Sequence, residues 1–180
     1  MERDKWTVKC LSSVEDLRIH SEKYPEYDPT FWSSLAFVAS SKGQSDIIKW
    51  ICDNRLERCG KLAMDNAAEH GFLNIVIILH NYGESCTTDA FDYAARNGHF
   101  EIVKFLHYNR PEGCTKKAID WASKYGKFDI VVWLYKNRKE GYSNMAKEFA
   151  HESGCTEISN FLEEEDTRRE LLKQWNLACR

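Results

Sequence analysis

The sequence predicts an all-α fold in which short helix–turn–helix repeats stack side by side. Glycines recur at intervals of 28, 27, 28 and 28 residues, at Gly43, Gly71, Gly98, Gly126 and Gly154. An alanine stands four residues before each of these glycines, and an isoleucine stands four residues after it. Leucine or isoleucine follows at the eighth position. Five segments that keep the same offsets indicate five copies of one structural unit.

Each part of the repeat has a physical reason. The alanine before the glycine lets two helices approach closely, and the glycine suits a left-handed turn that ends the first helix. Apolar residues four, seven and eight positions after the glycine share one helical face, which predicts an amphipathic second helix. A polar, mostly acidic residue three positions after the glycine stands near the start of that helix, where the macrodipole favours it. One such hairpin cannot bury its apolar face alone, so neighbouring hairpins are expected to stack.

The chain of 180 residues is expected to form a single domain, 1–180, with a helical cap at each end. Residues 1–30 are predicted as the N-terminal cap, because Ser12 to Glu15 fits a capping box ahead of Leu17 and Ile19. The five repeats are assigned to residues 31–165.

Residues 166–180 are predicted as a C-terminal capping helix. Leu171, Leu172 and Trp175 fall on one side of that helix, which we expect to fold over the last hairpin. A tail that becomes ordered on a partner is the alternative, and it would leave Trp175 exposed.

Composition limits the cellular setting. The net charge is -3, too mild to draw the chain onto DNA by overall charge, and no apolar run approaches the ~20 residues that span a bilayer. Four of the first six residues are charged, and no apolar stretch follows them as in a secretory signal. Seven cysteines do not form a recognisable disulfide framework. We therefore expect a soluble, monomeric cytoplasmic protein, small enough to enter the nucleus, with no membrane association.

The segment from Ala94 to Leu106 resembles the ankyrin repeat, with two alanines, a Gly-His pair and a run of Ile, Val, Lys, Phe and Leu. The resemblance covers about residues 31 to 163. The Thr-Pro-Leu-His opening of that family is absent, and the period is shorter than its usual ~33 residues, which indicates a shortened inter-repeat loop. Compact variants of this kind occur in expanded families of microbial eukaryotes and large DNA viruses. The resemblance implies an ankyrin-like solenoid whose first helices and loops bind a partner protein.

Cysteine and histidine recur in columns that the repeat itself explains. Cys59, Cys86 and Cys114 stand twelve residues before their glycines, while His80 and His107 stand nine residues after theirs. Equivalent residues of adjacent repeats are separated by about 10 Å, the usual distance between packed helices, which is too far for a shared zinc ion. No catalytic or phosphate-binding motif is present. We expect structural roles for these residues, and neither a cofactor, nor a metal, nor enzymatic activity.

The candidate partner-binding surface is the exposed side of the first helices. Its columns combine acids, aromatic residues and charges of alternating sign, the composition of an interface hot spot. The predicted binding residues are Asp65, Asn66, Glu69, Asp92, Tyr93, Arg96, Asp120, Trp121, Lys124 and Glu148. Two alternatives remain open: the acids could bind a neighbouring loop by hydrogen bonds or simply be solvated, and the aromatic residues could belong to the core.

Nucleic-acid binding is the alternative function, through a basic loop edge that carries Arg110, Lys116, Lys117 and Arg138. Arg55 shares the repeat position of the two arginines, twelve residues after a glycine. A cation at that position also complements the C-terminus of a helix, and we favour this interpretation. Nucleic acid is accordingly disfavoured as a partner.

Overall fold

A computed structural model describes residues 13–23, 29–54 and 59–178 of the chain. These residues form eleven α-helices and no strand, which confirms the all-α class. The helices are α1 (Val14–Lys23), α2 (Pro29–Ser41), α3 (Ser45–Asn54), α4 (Lys61–Glu69), α5 (Leu73–Asn81), α6 (Thr88–Asn97), α7 (Phe100–Asn109), α8 (Lys117–Lys124), α9 (Phe128–Asn137), α10 (Met145–Glu152) and α11 (Thr156–Ala178).

Helices α2 to α11 form five hairpins, one for each predicted repeat. The glycine between the two helices of every hairpin has a positive φ, between 67° and 88°, as the sequence predicts. The alanine four residues earlier is buried, and its carbonyl accepts the N–H of the residue after the glycine, as in His99 N to Ala94 O at 2.9 Å. This bond closes the first helix in a Schellman-type turn.

The hairpins contact one another in chain order. Each first helix packs against the first helix of the next hairpin, from α2 through α4, α6 and α8 to α10. The isoleucine and leucine columns of the second helices are buried throughout, and the apolar residues at the seventh position are half-buried. The predicted apolar face is therefore the one that forms the core.

The N-terminal cap contains a helix, as predicted, but the box of hydrogen bonds at its start is displaced by one residue. Ser13 N donates to Asp16 Oδ2 and Asp16 N donates to Ser13 Oγ, both at 3.1 Å. Helix α1 contacts α3 through the buried Leu17, whereas Ile19 is exposed. Ser12 and the rest of residues 1–12 and 24–28 lie outside the described residues.

Residues 166–178 are helical, as predicted, but the expectation of a separate helix that folds over the last hairpin is wrong. Residues 166–178 continue the second helix of the last hairpin, so that α11 runs unbroken for 23 residues. Neither glycine nor proline occurs after Gly154, so no residue stops the helix. Trp175 is 68% exposed, and Leu171 and Leu172 are exposed as well.

Candidate partner-binding surface

The recurring aspartates of the first helices are buried, not presented to a partner. Asp65, Asp92 and Asp120 are 5%, 0% and 8% exposed. Asp92 accepts hydrogen bonds from the backbone N–H and the hydroxyl of Thr115, at 2.9 and 2.6 Å. The expectation of an acidic face is therefore wrong for these three residues, and the alternative, a hydrogen bond to the neighbouring loop, is confirmed.

The same arrangement repeats at three successive junctions. Asp65 binds Thr87, and Asp120 binds Ser143, each through one backbone N–H and one hydroxyl at 2.7 to 2.8 Å. Each hydroxyl oxygen in turn accepts a backbone N–H two residues later, near the start of the next first helix. The carboxylate of one repeat thus positions a Thr or Ser of the next repeat. The hydroxyl oxygen of that residue then accepts a backbone N–H near the start of a helix, where the N–H has no partner within the helix.

Two of these acids have a pKa that is raised by burial. The loss of solvation raises the pKa of Asp65 and of Asp92, although the hydrogen bonds from Thr87 and Thr115 act in the opposite direction. Stabilisation of the ionised form by the threonine donors therefore only partly offsets the cost of removing the carboxylates from water.

Glu148 holds the same repeat position in α10 and is exposed. In the part of the chain that the structure describes, α10 belongs to the last hairpin, and no Thr or Ser of a following repeat covers this carboxylate there. This predicted site residue remains available to a partner.

Asn66 is a second correction to the predicted site. It is 5% exposed, and its Nδ2 donates to the carbonyl of Phe37 in the preceding first helix at 2.7 Å. Glu69 keeps a half-buried side chain, while its carbonyl accepts Asn97 Nδ2 at 2.7 Å and contacts His99 Nε2 at 3.1 Å. Asn66 thus links two adjacent repeats and is not available to a partner. The carbonyl of Glu69 also links two repeats, whereas the side chain of Glu69 remains available to a partner.

The aromatic residues next to the buried acids form an ordered, half-buried ladder. The rings of Tyr93 and Trp121 stack with centroids 5.5 Å apart and planes 3° from parallel. Phe149, half-buried, holds the equivalent position in the next repeat, where the Lys124 ammonium lies 4.8 Å from its ring centroid. The alternative of full core packing is therefore wrong for these residues, whose rings pack on one another at the surface.

Cations lie over these rings. The Arg96 guanidinium is 5.9 Å from the centroid of Trp121 and 5.2 Å from that of Tyr125, and the Lys117 ammonium is 5.3 Å from Trp121. Among the described residues, no carboxylate oxygen lies within 4.0 Å of the charged groups of Arg96, Lys117 and Lys124. We use "the Trp121 surface" for Tyr93, Arg96, Lys117, Trp121, Lys124, Tyr125 and Phe149.

The predicted basic loop edge has a different structure. Arg110 donates two hydrogen bonds to Glu112, and Arg138 donates two to Glu140, so both guanidinium groups are paired. Their side chains are only 12% and 18% exposed. Arg110 and Arg138 are also the C-cap residues of α7 and α9, so their position at helix C-termini is as expected. An open basic edge that includes the two arginines is wrong, because both are ion-paired. Arg55 lies outside the described residues.

The glutamates that pair with these arginines were missed at the sequence level. Glu84, Glu112 and Glu140 each stand fourteen residues before a repeat glycine, a column that could have signalled them. Glu84 and Glu112 also accept the backbone N–H of a cysteine that lies 25 or 26 residues earlier in the chain, Cys59 being bound at 2.9 Å and Cys86 at 3.3 Å. Although partial burial raises it, the hydrogen bonds from Arg110 hold the pKa of Glu112 below its ordinary value.

Histidine and cysteine are integrated into the same contacts between repeats. His80 and His107 contact the rings of Phe105 and Trp133 edge-on, with centroids 5.4 and 4.9 Å apart. Burial raises the pKa of the buried Cys86 and Cys114 thiols to about 12, which suppresses the thiolate. No group of three or more His, Cys, Asp or Glu side chains able to hold a metal occurs in the part of the chain that the structure describes.

Comparisons with known proteins add no assignment: no family model matches the chain, and no curated protein has a similar sequence. Across the described ranges, no helix has both the length and the apolar character needed to cross a bilayer.

Proposed function

We propose that this chain is an ankyrin-like solenoid that binds another protein through the Trp121 surface. The ankyrin-like assignment is supported by five hairpins of near-constant length, each closed by a left-handed glycine and each contacting the next. In this arrangement the residues at buried repeat positions hold neighbouring hairpins together. The residues at half-buried and exposed positions of the first helices are free to contact a partner.

We choose this surface because the stacked rings of Tyr93 and Trp121 remain half-exposed. The rings are bordered by cations that have no carboxylate partner among the described residues. Tyr, Trp and Arg are the residues most enriched at binding hot spots, because their side chains bury large areas and still form polar contacts. Buried acids behind Tyr93 and Trp121 hold the helices that present them. The hydrogen bonds of these acids fix the helices relative to one another before a partner arrives, which reduces the entropy lost on binding.

The proposal assigns the protein a binding role rather than a catalytic one, with a monomer as the free form. We also propose a cytoplasmic location, which the free thiols of Cys86 and Cys114 support, because reduced cysteines are the rule in that compartment.

Affinity capture from extracts of the native cell, read by mass spectrometry, tests the proposed function. The variant Tyr93→Ser/Trp121→Ser removes the aromatic pair from the first helices. The matched control Ile77→Ser/Tyr108→Ser removes an exposed apolar and an exposed aromatic side chain from second helices. We expect the partner to be lost from the first variant and kept by the second, with unchanged circular dichroism. Equal recovery with both folded variants would refute the Trp121 surface as the binding site.

A further inference from the structure

We infer that the Trp121 surface takes a short acidic peptide segment, rich in Asp and Glu, of its partner. This inference rests on the proposed function and specifies the chemistry of the partner.

Burial of the aspartate column determines the charge that the surface presents. Helix α8 contains one carboxylate, Asp120, and Ser143 covers it by two hydrogen bonds. The charged side chains that α8 leaves exposed are Lys117 and Lys124, and Lys116 precedes them. The sequence of α8 contains both acidic and basic residues, but its exposed charged side chains are therefore all cationic.

The positions of these cations suit an anionic ligand. Arg96 reaches over the rings of Trp121 and Tyr125 from α6, and Lys117 reaches over Trp121 from the start of α8. An aromatic ring restrains a cation from one side and leaves its other donors free. The guanidinium can then bind a carboxylate with two parallel hydrogen bonds, while the ring beneath takes up the apolar part of the peptide.

Carboxylates on both sides limit the length of the ligand's charged stretch. On the side of α6, Asp89 stands four residues before Tyr93 and therefore lies next to it on the helix surface. The charge of Asp89, together with partial burial and the charge of Glu69 at the end of α4, raises the pKa of Tyr93. On the side of α10, Glu148 and Glu152 are exposed. A continuous phosphate backbone that crossed the surface would meet these acids, whereas a short acidic segment ends before it reaches them. Charge complementarity therefore favours a peptide over a nucleic acid.

The test uses the full chain and fluorescence anisotropy with three labelled probes. The first is an eight-residue peptide of alternating Glu and Asp with one central Phe, the second is the same peptide with Gln and Asn in place of the acids, and the third is a single-stranded oligothymidine of ten nucleotides. Lys117→Glu/Lys124→Glu is the test variant. Lys136→Glu/Lys139→Glu is the control, because it makes the same change in net charge at two exposed lysines on and after α9.

We expect the acidic peptide to bind and the amide peptide to bind at least tenfold more weakly. The test variant should lose about tenfold in affinity for the acidic peptide, and the control should lose less than about twofold, since the two reversed charges contact the ligand only in the first case. Affinity should also fall as salt is raised.

Three results would overturn the inference: no binding of the acidic peptide, equal loss in both variants, or tighter binding of the oligothymidine than of the peptide. The proposed function is judged separately. If the native partner still depends on Tyr93 and Trp121 while the acidic peptide does not bind, the partner-binding role stands and the acidic chemistry falls.

Discussion

At the scale of single residues, the buried aspartates are the feature that most changes the interpretation of this protein. Asp92 has no exposed surface and accepts two hydrogen bonds from Thr115, whose hydroxyl accepts the N–H of Lys117 in turn. Removing the carboxylate leaves two half-buried donors of Thr115 without this acceptor, which costs more than the net value of the bonds themselves. The aspartate is therefore a structural link between adjacent repeats.

We predict that Asp92→Ala lowers the free energy of unfolding by about 2 kcal/mol, because two half-buried donors of Thr115 lose their acceptor. Asp129→Ala removes an exposed acid from the first turn of α9 and should cost no more than about 1 kcal/mol. Urea denaturation followed by circular dichroism measures both. Similar losses in the two variants would contradict the structural role of Asp92.

At the scale of the helical hairpin, the glycine turn is constrained twice. The left-handed backbone of the glycine disfavours any side chain. At most turns, the residue that follows the glycine of the next repeat also packs against the turn glycine. A Cβ at Gly71 would lie 2.6 Å from the His99 ring, and one at Gly43 would lie 2.5 Å from Phe72. A Cβ at Gly154 would meet nothing within 4 Å, because the stack ends there. The turn thus also sets how closely two hairpins approach.

These two turns separate the conformational cost from the packing cost. Gly154→Ala should lower the free energy of unfolding by about 1 kcal/mol, the cost of a left-handed alanine. Gly71→Ala should cost at least about 1 kcal/mol more, because His99 must move away from the carbonyl of Glu69. Thermal and urea denaturation of both variants measure the difference. Equal losses would show that the contact with His99 contributes nothing.

At the scale of the whole molecule, α11 divides into a packed part and an exposed part. Its first turns contact α9 and α10, and Asp166 accepts the hydroxyl of Tyr142 at 2.6 Å and pairs with Lys147. Arg169 lies over the ring of Tyr135, 4.6 Å from its centroid. Residues 170–177 are exposed throughout. The end of the stack is therefore closed by the first half of α11.

Deletion of residues 170–180 should change the free energy of unfolding by less than about 0.5 kcal/mol, because the deleted residues that the structure describes bury no core surface. Tyr142→Phe, which removes the hydrogen bond to Asp166, should cost about 1 kcal/mol. Differential scanning calorimetry and urea denaturation measure both proteins. A large loss on truncation would instead favour a helix that folds back over the last hairpin.

The sequence by itself determined the hairpins and their register, because both depend on local spacing. A glycine that ends a helix and apolar residues at offsets of four, seven and eight act within a few residues of one another. The positions of the left-handed turns and of the buried alanine, isoleucine and leucine columns could therefore be predicted from the chain alone.

Only the tertiary structure decided which polar columns face inward. The partners of Asp65 and Asp92 lie 22 and 23 residues further along the chain. An acidic residue that recurs at one repeat position gives the same sequence pattern whether its carboxylate is solvated or bound to the next repeat. The choice depends on how closely the hairpins approach, and that distance is set by contacts between repeats.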